Sequence, residues 1–412
     1  MTYISIISFT IFFVLIITFA KKGTDIFAPA RIFTIVWSLA IGLAELKLSW
    51  HQVQWNIFSW LVIIISIASV LLGMFIIYVI NFGKLNYSIN KTRYLIRSSE
   101  LNPNVLYKII IFVFLLYMIS YITIYLIVGF IPLFTALPNI TRTKWSVFGF
   151  GLIIHLAPAI IYFVFLYYLT IRKNISKKIL LGLLVILTLV SFLLLLQRFD
   201  LVIAIVLSTV FLYYGSNKFK PRNVIIVFIL FIAFMYSIST IRVSSLFIEY
   251  LYYTSKMKIG MQYAFLTEPY MYIVMNLENF AHAVNDFTSF SFGYYTFDFI
   301  LALSGLKHWI AEYASLNDFP GLITEEFNTY SMFFSYYRDF GVLGLFLLSM
   351  GFGMLVSSFY YKMRRNPNVH TISIYGIFFI VIVFSFFIPM LSWLYFILNL
   401  ATIYYLTKVL VK

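Results

Sequence analysis

Apolar segments of about 20 residues follow one another along most of the chain, and they constrain its fold more than any other feature. One helix needs about 20 apolar residues to cross the hydrocarbon core of a bilayer. Of the 412 residues, 63% are hydrophobic and only 10% are charged, whereas a soluble domain carries about 25% charged residues. The composition therefore predicts an integral membrane protein built from α-helices.

Eleven segments have the length and hydropathy expected of membrane-spanning helices. The predicted spans are 3–20, 32–48, 57–80, 108–128, 149–170, 179–196, 200–214, 223–240, 339–361, 371–388 and 391–408. This pattern predicts a polytopic, all-α protein in which residues 1–412 form a single membrane domain.

Residues 241–338 form a long segment that contains no clear span. Long loops in compact proteins are usually functional or disordered, and disorder requires a low hydrophobicity that this Tyr- and Phe-rich segment lacks. We therefore predict a large extracytoplasmic loop of short amphipathic or re-entrant helices. Its aromatic rings suit the outer membrane–water boundary.

The basic residues alternate between the loops in a way that predicts orientation. Twenty of the 29 Lys and Arg residues lie in loops on one side of the predicted membrane, and nine lie on the other side. Cytoplasmic loops retain Lys and Arg, so we expect the N-terminus outside and the C-terminus inside. The same rule explains the net charge of +15 without nucleic acid as a partner. Four outer lysines are predicted to be interfacial or solvated: Lys47, Lys256, Lys258 and Lys307.

Several kinds of chemistry have no motif in this sequence. The chain has no cysteine, which excludes disulfides and thiolate chemistry. It contains no HExxH motif, no Asp-rich motif and no Gly-rich phosphate loop, so we predict neither a metal site, nor a cofactor, nor ATP-driven transport. The five histidines are scattered, and His155 is predicted to be packed rather than catalytic.

Four arginines lie near the outer ends of different predicted spans. They are Arg142, Arg198, Arg242 and Arg338. An ionisable residue at membrane depth is usually paired or functional, and the structural alternative pairs Arg198 with Asp200 and Arg338 with Asp339. As a set, however, they favour phosphate binding, because a planar guanidinium binds phosphate oxygens in a bidentate way. Several guanidinium groups would also stabilise the charge on a departing pyrophosphate.

The segment 328–344 reads NTYSMFFSYYRDFGVLG. It resembles the signature of Wzy-type oligosaccharide repeat-unit polymerases, in which Asn-x-Tyr-Thr-x-Phe precedes an aromatic-x-Asp-Phe-Gly-x-x-Gly run. The matching positions are Asn328, Tyr330, Ser331, Phe333, Tyr337, Asp339, Phe340, Gly341 and Gly344. Ser331 replaces the usual Thr, and Phe334 stands where many members carry an arginine.

Weaker likenesses extend this resemblance over residues 129 to 344. The GFIPLF run at 129–134, with Arg142 downstream, is similar to the first outer loop of the family. The Gln197-Arg198 pair resembles a polar break that members show between two spans, although a glycine is missing here. The FGYYTF run at 292–297 resembles part of the large outer loop of the family.

The resemblance implies a GT-C-like fold and a metal-independent glycosyltransferase of the bacterial inner membrane. It implies undecaprenyl-pyrophosphate-linked oligosaccharide as both donor and acceptor, and O-antigen or capsular polysaccharide as the product. No cofactor is implied. Membrane lipid and a chain-length regulator, a polysaccharide co-polymerase, are the further partners that we expect.

Roles for the candidate residues follow from the arginine pattern together with the resemblance. Pyrophosphate binding and leaving-group stabilisation are expected of Arg142, Arg198 and Arg242, with Lys144 and Arg338 as further substrate-binding candidates. The general base is expected among Glu325, Glu326 and Asp339. Asp339 alternatively only holds Arg338. Sugar binding is expected of Asn328, Tyr330 and Tyr337.

Three other functions remain open at this stage. An O-antigen ligase shares the architecture and the donor, but ligases tend to carry a His motif in the outer loop that His282 and His308 do not reproduce. A flippase or transporter of lipid-linked oligosaccharide tends to show internal repeats and mid-membrane charges, and the sequence has neither. A membrane scaffold without chemistry would not require four outer arginines.

Overall fold

The computed structural model describes residues 2–20, 24–98, 101–136, 138–170, 175–197, 199–216, 226, 247–286, 289–306, 309, 322–324 and 326–411. Over these ranges the fold is all-helical and contains no strands. One isolated backbone bridge joins Ser49 to Met257. The sequence prediction of an all-α fold is confirmed.

Sixteen α-helices lie within the described part of the chain, and short 3-10 turns connect some of them. They are α1 (Tyr3–Ile17), α2 (Pro29–Ala44), α3 (Ile57–Ile80), α4 (Ile89–Ser98), α5 (Pro103–Val128), α6 (Pro138–Lys144), α7 (Phe150–Ile154), α8 (Ala157–Thr170), α9 (Ile175–Leu194), α10 (Phe199–Gly215), α11 (Phe247–Thr254), α12 (Thr267–Asp286), α13 (Asp298–Ser304), α14 (Phe333–Arg365), α15 (Val369–Phe384) and α16 (Leu394–Val411).

Six helical segments are long and apolar enough to cross a membrane by their length and composition. They are α3, α5 with its following 3-10 turn, α7 with α8, α9, α14 and α16. Four shorter helices, α1, α2, α10 and α15, are also apolar. A helix thus lies at ten of the predicted spans, while the predicted span 223–240 lies outside the described residues.

Helix boundaries follow local capping chemistry. Asn56 precedes α3 and its side chain accepts a hydrogen bond from the Ser59 amide at 2.8 Å. Asn102 does the same for two amides at the start of α5, where Pro103 is the first helical residue. Gly129 ends α5 in the left-handed conformation, with φ of 79°. Asn is favoured directly before a helix, Pro in its first turn, and Gly directly after its last residue.

Helix α1 has a small polar interior face and an apolar exterior. Ser5 and Ser8 are buried, whereas Phe13 and Ile17 are exposed. The Ser5 hydroxyl donates to the Gly42 carbonyl oxygen of α2 at 3.0 Å. Small and polar residues pack between helices in lipid, because the bilayer already solvates the apolar side chains. This arrangement is that of an integral membrane protein.

The chain divides into two compact units. The first comprises Met1–Leu85, Leu246–Tyr361 and Val381–Leu394, and the second comprises Asn86–Ser245, Lys362–Ile380 and Tyr395–Lys412. Each unit draws on segments that lie far apart in the sequence. Local patterning therefore cannot reveal this division, and the predicted single membrane domain stays a prediction.

Glycines allow two helices of the first unit to approach closely. A Cβ on Gly73 of α3 would lie 2.0 Å from the Met350 carbonyl oxygen, and one on Gly353 of α14 would lie 2.1 Å from the Val70 carbonyl oxygen. Gly351, two residues earlier on α14, has nothing within 4 Å of such a Cβ. Close approach thus depends on particular glycines, as is common in membrane helix pairs.

The predicted large loop contributes a core element to the first unit. Helices α11 and α13 are short, as expected, but α12 has 20 residues, and most of them are buried. The Glu278 carboxylate of α12 forms an ion pair with the Lys47 ammonium group at 2.6 Å, and the Lys47 side chain is only 10% exposed. Of the two environments predicted for Lys47, interfacial or solvated, the structure excludes the solvated one, because a buried carboxylate on α12 holds its ammonium group.

Candidate functional site

A cavity of about 260 Å³ lies within the second unit. Its lining residues come from α5, α6, α7 and the segments that follow α6, α7 and α9. They are Ile124, Arg142, Thr143, Trp145, Ser146, Gly151, Ile154, His155 and Gln197. Five of the nine side chains are polar or charged, in a unit built mainly from apolar helices.

Arg142 reaches this cavity because the chain folds back after α5. The left-handed Gly129 ends α5, and a 3-10 turn at Pro132–Phe134 leads into α6. The Trp145 indole N–H donates to the Phe130 carbonyl oxygen at 2.7 Å, and its ring packs 5.0 Å from that of Tyr121. These contacts fix the end of α6 beside α5. Arg142 is half-buried there, whereas Lys144 is exposed and does not line the cavity.

His155 lies at a break in the helical segment that was predicted to span 149–170. Helix α7 ends at Ile154 and α8 begins at Ala157, so the His155 carbonyl oxygen is outside the regular helical ladder. The Asn399 side-chain amide donates to that oxygen at 2.5 Å. A free main-chain carbonyl is unfavourable in an apolar environment, and this amide satisfies it. The break thus allows the imidazole to face the cavity.

The His155 ring is held by two further contacts. Its Nδ1 lies 2.5 Å from the Asp200 Oδ2 atom, and its face stacks on Tyr395 with centroids 4.6 Å apart. Asp200 lies in the first turn of α10, where a carboxylate is favoured by the helix dipole. Its side chain is 4% exposed, while that of His155 is 25% exposed. The carboxylate can only accept, so Nδ1 donates, and Nε2 is the acceptor whenever the imidazole is neutral.

Sequence reasoning missed this pair. It predicted His155 to be packed, and it offered Arg198 as the partner of Asp200. The structure pairs Asp200 with His155, and Arg198 lies outside the described residues. One sequence signal does point to the pair, because each residue is ionisable and lies in an apolar segment, and such residues are functional candidates by default.

A second cluster surrounds the first turns of α14 in the first unit. The Asp339 carboxylate accepts from the Ser291 hydroxyl at 2.6 Å, the Tyr295 amide at 3.2 Å and the Thr296 amide at 2.6 Å. Two main-chain bonds run beside these, from Ser291 to Arg338 and from Phe292 to Asp339, each 3.2 Å long. Asp339 is completely buried. Its geometry is that of a residue that ties the 291–296 segment to α14.

Gly341 introduces a kink directly after this cluster. Its φ of 63° and ψ of −156° interrupt the helical conformation of α14. A Cβ at this position would lie 2.8 Å from the Phe290 ring. Only glycine combines this backbone conformation with so close a neighbour. The Asp-Phe-Gly part of the motif therefore has a structural explanation in this chain.

Arg338 lies among aromatic rings next to this kink. Its guanidinium donates to the Ser289 carbonyl oxygen at 2.6 Å and to the Tyr295 phenol oxygen. Tyr295 also packs edge-on against Phe334, which stacks on Tyr330 at 3.9 Å. Arg338 and Phe334 thus contact the same phenol, one helical turn apart. A positive charge therefore lies close to position 334, where many members of the resembled family carry an arginine.

Burial keeps both phenols of this cluster neutral. It raises the pKa of Tyr295 above its ordinary value, although the hydrogen bond from Arg338 acts in the opposite direction. Burial also raises the pKa of Tyr330. Neither tyrosine is therefore a phenolate at neutral pH, and both are hydrogen-bonding groups rather than bases.

The remaining candidates occupy separate places. Asn328 is exposed, and Glu326 accepts a hydrogen bond from the Tyr250 hydroxyl at 3.0 Å. Tyr337 is buried against Phe280 and donates to the Val284 carbonyl oxygen at 3.4 Å, so it packs in the core of the first unit. Arg198, Arg242 and Glu325 lie outside the described residues.

The described candidates thus form two groups. Arg142 belongs to the cavity of the second unit, while Arg338, Asp339 and Tyr330 belong to the α14 cluster of the first. Among the residues that the structure covers, no three His, Asp or Glu side chains are grouped as in a metal site. No protein-family model, curated protein or solved structure matches this chain.

Proposed function

We propose that the chain is a multi-pass membrane glycosyltransferase that polymerises oligosaccharide repeat units carried on undecaprenyl pyrophosphate. The growing saccharide moves from its lipid carrier to the sugar end of an incoming lipid-linked repeat, and undecaprenyl pyrophosphate leaves. The reaction takes place on the outer leaflet of the bacterial inner membrane and yields O-antigen or capsular polysaccharide. The proposal includes no metal or cofactor, and it includes a chain-length regulator as a partner.

The cavity beside Arg142 is the observation that carries this proposal. A guanidinium group in a polar cavity of a unit built mainly from apolar helices suits a ligand that is both anionic and lipid-anchored. The volume of about 260 Å³ is slightly below the range of small-molecule sites, about 300–1,000 Å³. It accommodates the reacting end of a substrate, a pyrophosphate and one sugar hydroxyl, rather than a whole oligosaccharide.

The predicted threading supports this location. With eleven spans and an outer N-terminus, Ile124 and Ile154 lie near the outer ends of two predicted spans, and Gln197 follows directly after the outer end of a third. The pyrophosphate of a lipid carrier lies at the same boundary, because its tail is in the bilayer. The roles expected of Arg198 and Arg242 stay predictions.

Complementation of a strain that lacks its own repeat-unit polymerase tests the proposal. Arg142→Ala should leave the amount of membrane protein unchanged but give saccharide of a single repeat instead of a ladder. The reason is that the donor pyrophosphate loses a charged ligand, and losing one such group costs about 10²–10³-fold in rate. Lys144→Ala is the matched control, because Lys144 lies on the same helix but is exposed. We expect that variant to keep the ladder.

Two outcomes would count against the proposal. An unchanged ladder from Arg142→Ala would remove Arg142 from pyrophosphate binding. Loss of every repeat from the surface when the native gene is deleted would indicate a flippase or a ligase, since a strain without a polymerase still exports single repeats.

A further inference from the structure

We infer that His155 is the general base of this transfer reaction and that Asp200 is the residue that positions it. The inference rests on the proposed function and adds the group that takes the proton from the attacking sugar hydroxyl. Sequence reasoning expected this group among Glu325, Glu326 and Asp339. The contacts of the described residues favour the histidine instead.

The tautomer of His155 suits a general base. Asp200 is almost completely buried, and its Oδ2 atom accepts from Nδ1 at 2.5 Å. The proton of a neutral imidazole is therefore on Nδ1, and the lone pair is on Nε2. An imidazole whose other nitrogen is held by a carboxylate is the arrangement that acid–base catalysis uses.

The His155 ring is both fixed and accessible. Tyr395 stacks on one face at 4.6 Å, and Asn399 holds the main chain of His155 at the helix break. The side chain nevertheless remains 25% exposed and lines the cavity. Its Nε2 has no hydrogen-bond partner among the described residues. A histidine that served only to fill space would not need an oriented carboxylate behind it.

The two described alternative carboxylates, Asp339 and Glu326, have surroundings that suit a general base less well. Asp339 is fully buried and accepts three hydrogen bonds, so its oxygens are occupied in tying a loop to α14. Glu326 accepts from the Tyr250 hydroxyl at the surface of the first unit. Neither carboxylate lines the cavity that contains Arg142, whereas His155 does.

The transfer step balances with these groups. The acceptor hydroxyl oxygen forms a bond to the anomeric carbon of the donor, and the bond between that carbon and the phosphate oxygen breaks. The electron pair leaves with undecaprenyl pyrophosphate, whose negative charge Arg142 stabilises. The hydroxyl proton moves to Nε2 of His155, and the resulting imidazolium, paired with Asp200, later returns it to water.

The test uses the purified full-length protein with a lipid-linked repeat of one defined structure, and it measures donor binding and transfer rate separately. His155→Gln and Asp200→Asn should bind the donor with unchanged affinity and lose about 10²–10⁴-fold in transfer rate. Asp200→Glu should recover part of that loss, because it restores a carboxylate. His282→Gln is the matched control, since His282 forms an exposed pair with Asp286 at 3.1 Å and should retain the full rate.

His155→Ala with added imidazole separates catalysis from a structural role. Partial recovery of the rate with imidazole supports proton transfer, whereas a purely structural histidine would show no rescue. Two results overturn the inference and leave the polymerase proposal standing. One is a full transfer rate in His155→Gln. The other is a loss of donor affinity as large as the loss of transfer rate, with no recovery of the rate by imidazole. Wild-type protein that transfers no saccharide overturns the proposed function, and the inference fails with it.

Discussion

Single residues decide how the motif around Asp339 is to be interpreted. Asp339 is a sequence candidate through a resemblance to a motif, and Arg338 is one through its place at the outer end of a predicted span, but the sequence cannot distinguish a catalytic carboxylate from a structural one. The structure provides the distinction, since Asp339 accepts from one hydroxyl and two amides. These donors belong to a segment more than 40 positions earlier in the chain, which no local pattern links to Asp339.

Asp339→Asn tests that structural role. The substitution replaces one carboxylate oxygen by an amide N–H group, which cannot accept a hydrogen bond. One of the buried groups that donate to Asp339 then loses its acceptor, which lowers the free energy of unfolding by about 1–3 kcal/mol. We expect the midpoint of urea unfolding in detergent to fall. Glu326→Gln is the control, because the Glu326 carboxylate is half-exposed and accepts a hydrogen bond from Tyr250 only near the surface. We expect it to shift the urea midpoint little. A variant with wild-type stability and abolished transfer would instead make Asp339 the base.

The sequence points to Arg142 but not to His155 as a functional residue, although the structure places both at one cavity. An arginine just beyond an apolar segment is conspicuous in a sequence, and the structure places it at a cavity. The partners of His155 are Asp200, which lies 45 residues away in the sequence, and Asn399, which lies 244 residues away. Such contacts arise from tertiary packing, so the sequence alone favoured a packed histidine.

At the scale of helices, hydropathy predicted most of the fold because membrane thickness sets the length of an apolar segment. Helix α3 begins and ends at the predicted residues 57 and 80. The sequence did not predict the break between α7 and α8 or the kink at Gly341. Side chains from other segments lie against both interruptions, Asn399 at the first and Phe290 at the second, and both adjoin a candidate site.

The close contact between α3 and α14 gives a test at this scale. Gly353→Ala should place a methyl group on the Val70 carbonyl oxygen and destabilise the protein by about 1–3 kcal/mol, because main chain cannot move aside as a side chain does. Gly351→Ala on the same helix meets open space and should be neutral or slightly stabilising. The midpoints of thermal unfolding of the two variants in detergent measure this difference. Equal midpoints for Gly353→Ala and Gly351→Ala would contradict the close approach of α3 and α14.

At the scale of the whole molecule, composition and hydropathy are sufficient to predict an all-helical membrane protein. They do not reveal that each of the two compact units combines distant segments, nor that a 20-residue helix of the predicted outer loop belongs to a unit core. The polymerase proposal depends on the resemblance at 328–344 and on the cavity lined by Arg142 and His155, whose imidazole Asp200 holds.

The most direct test of this account is reconstitution of the purified chain in lipid vesicles with one defined undecaprenyl-pyrophosphate-linked repeat and no other protein. The account predicts saccharides of two or more repeats on the lipid carrier, with one undecaprenyl pyrophosphate released for each bond formed. Vesicles in which every saccharide keeps a single repeat and no undecaprenyl pyrophosphate is released would contradict it.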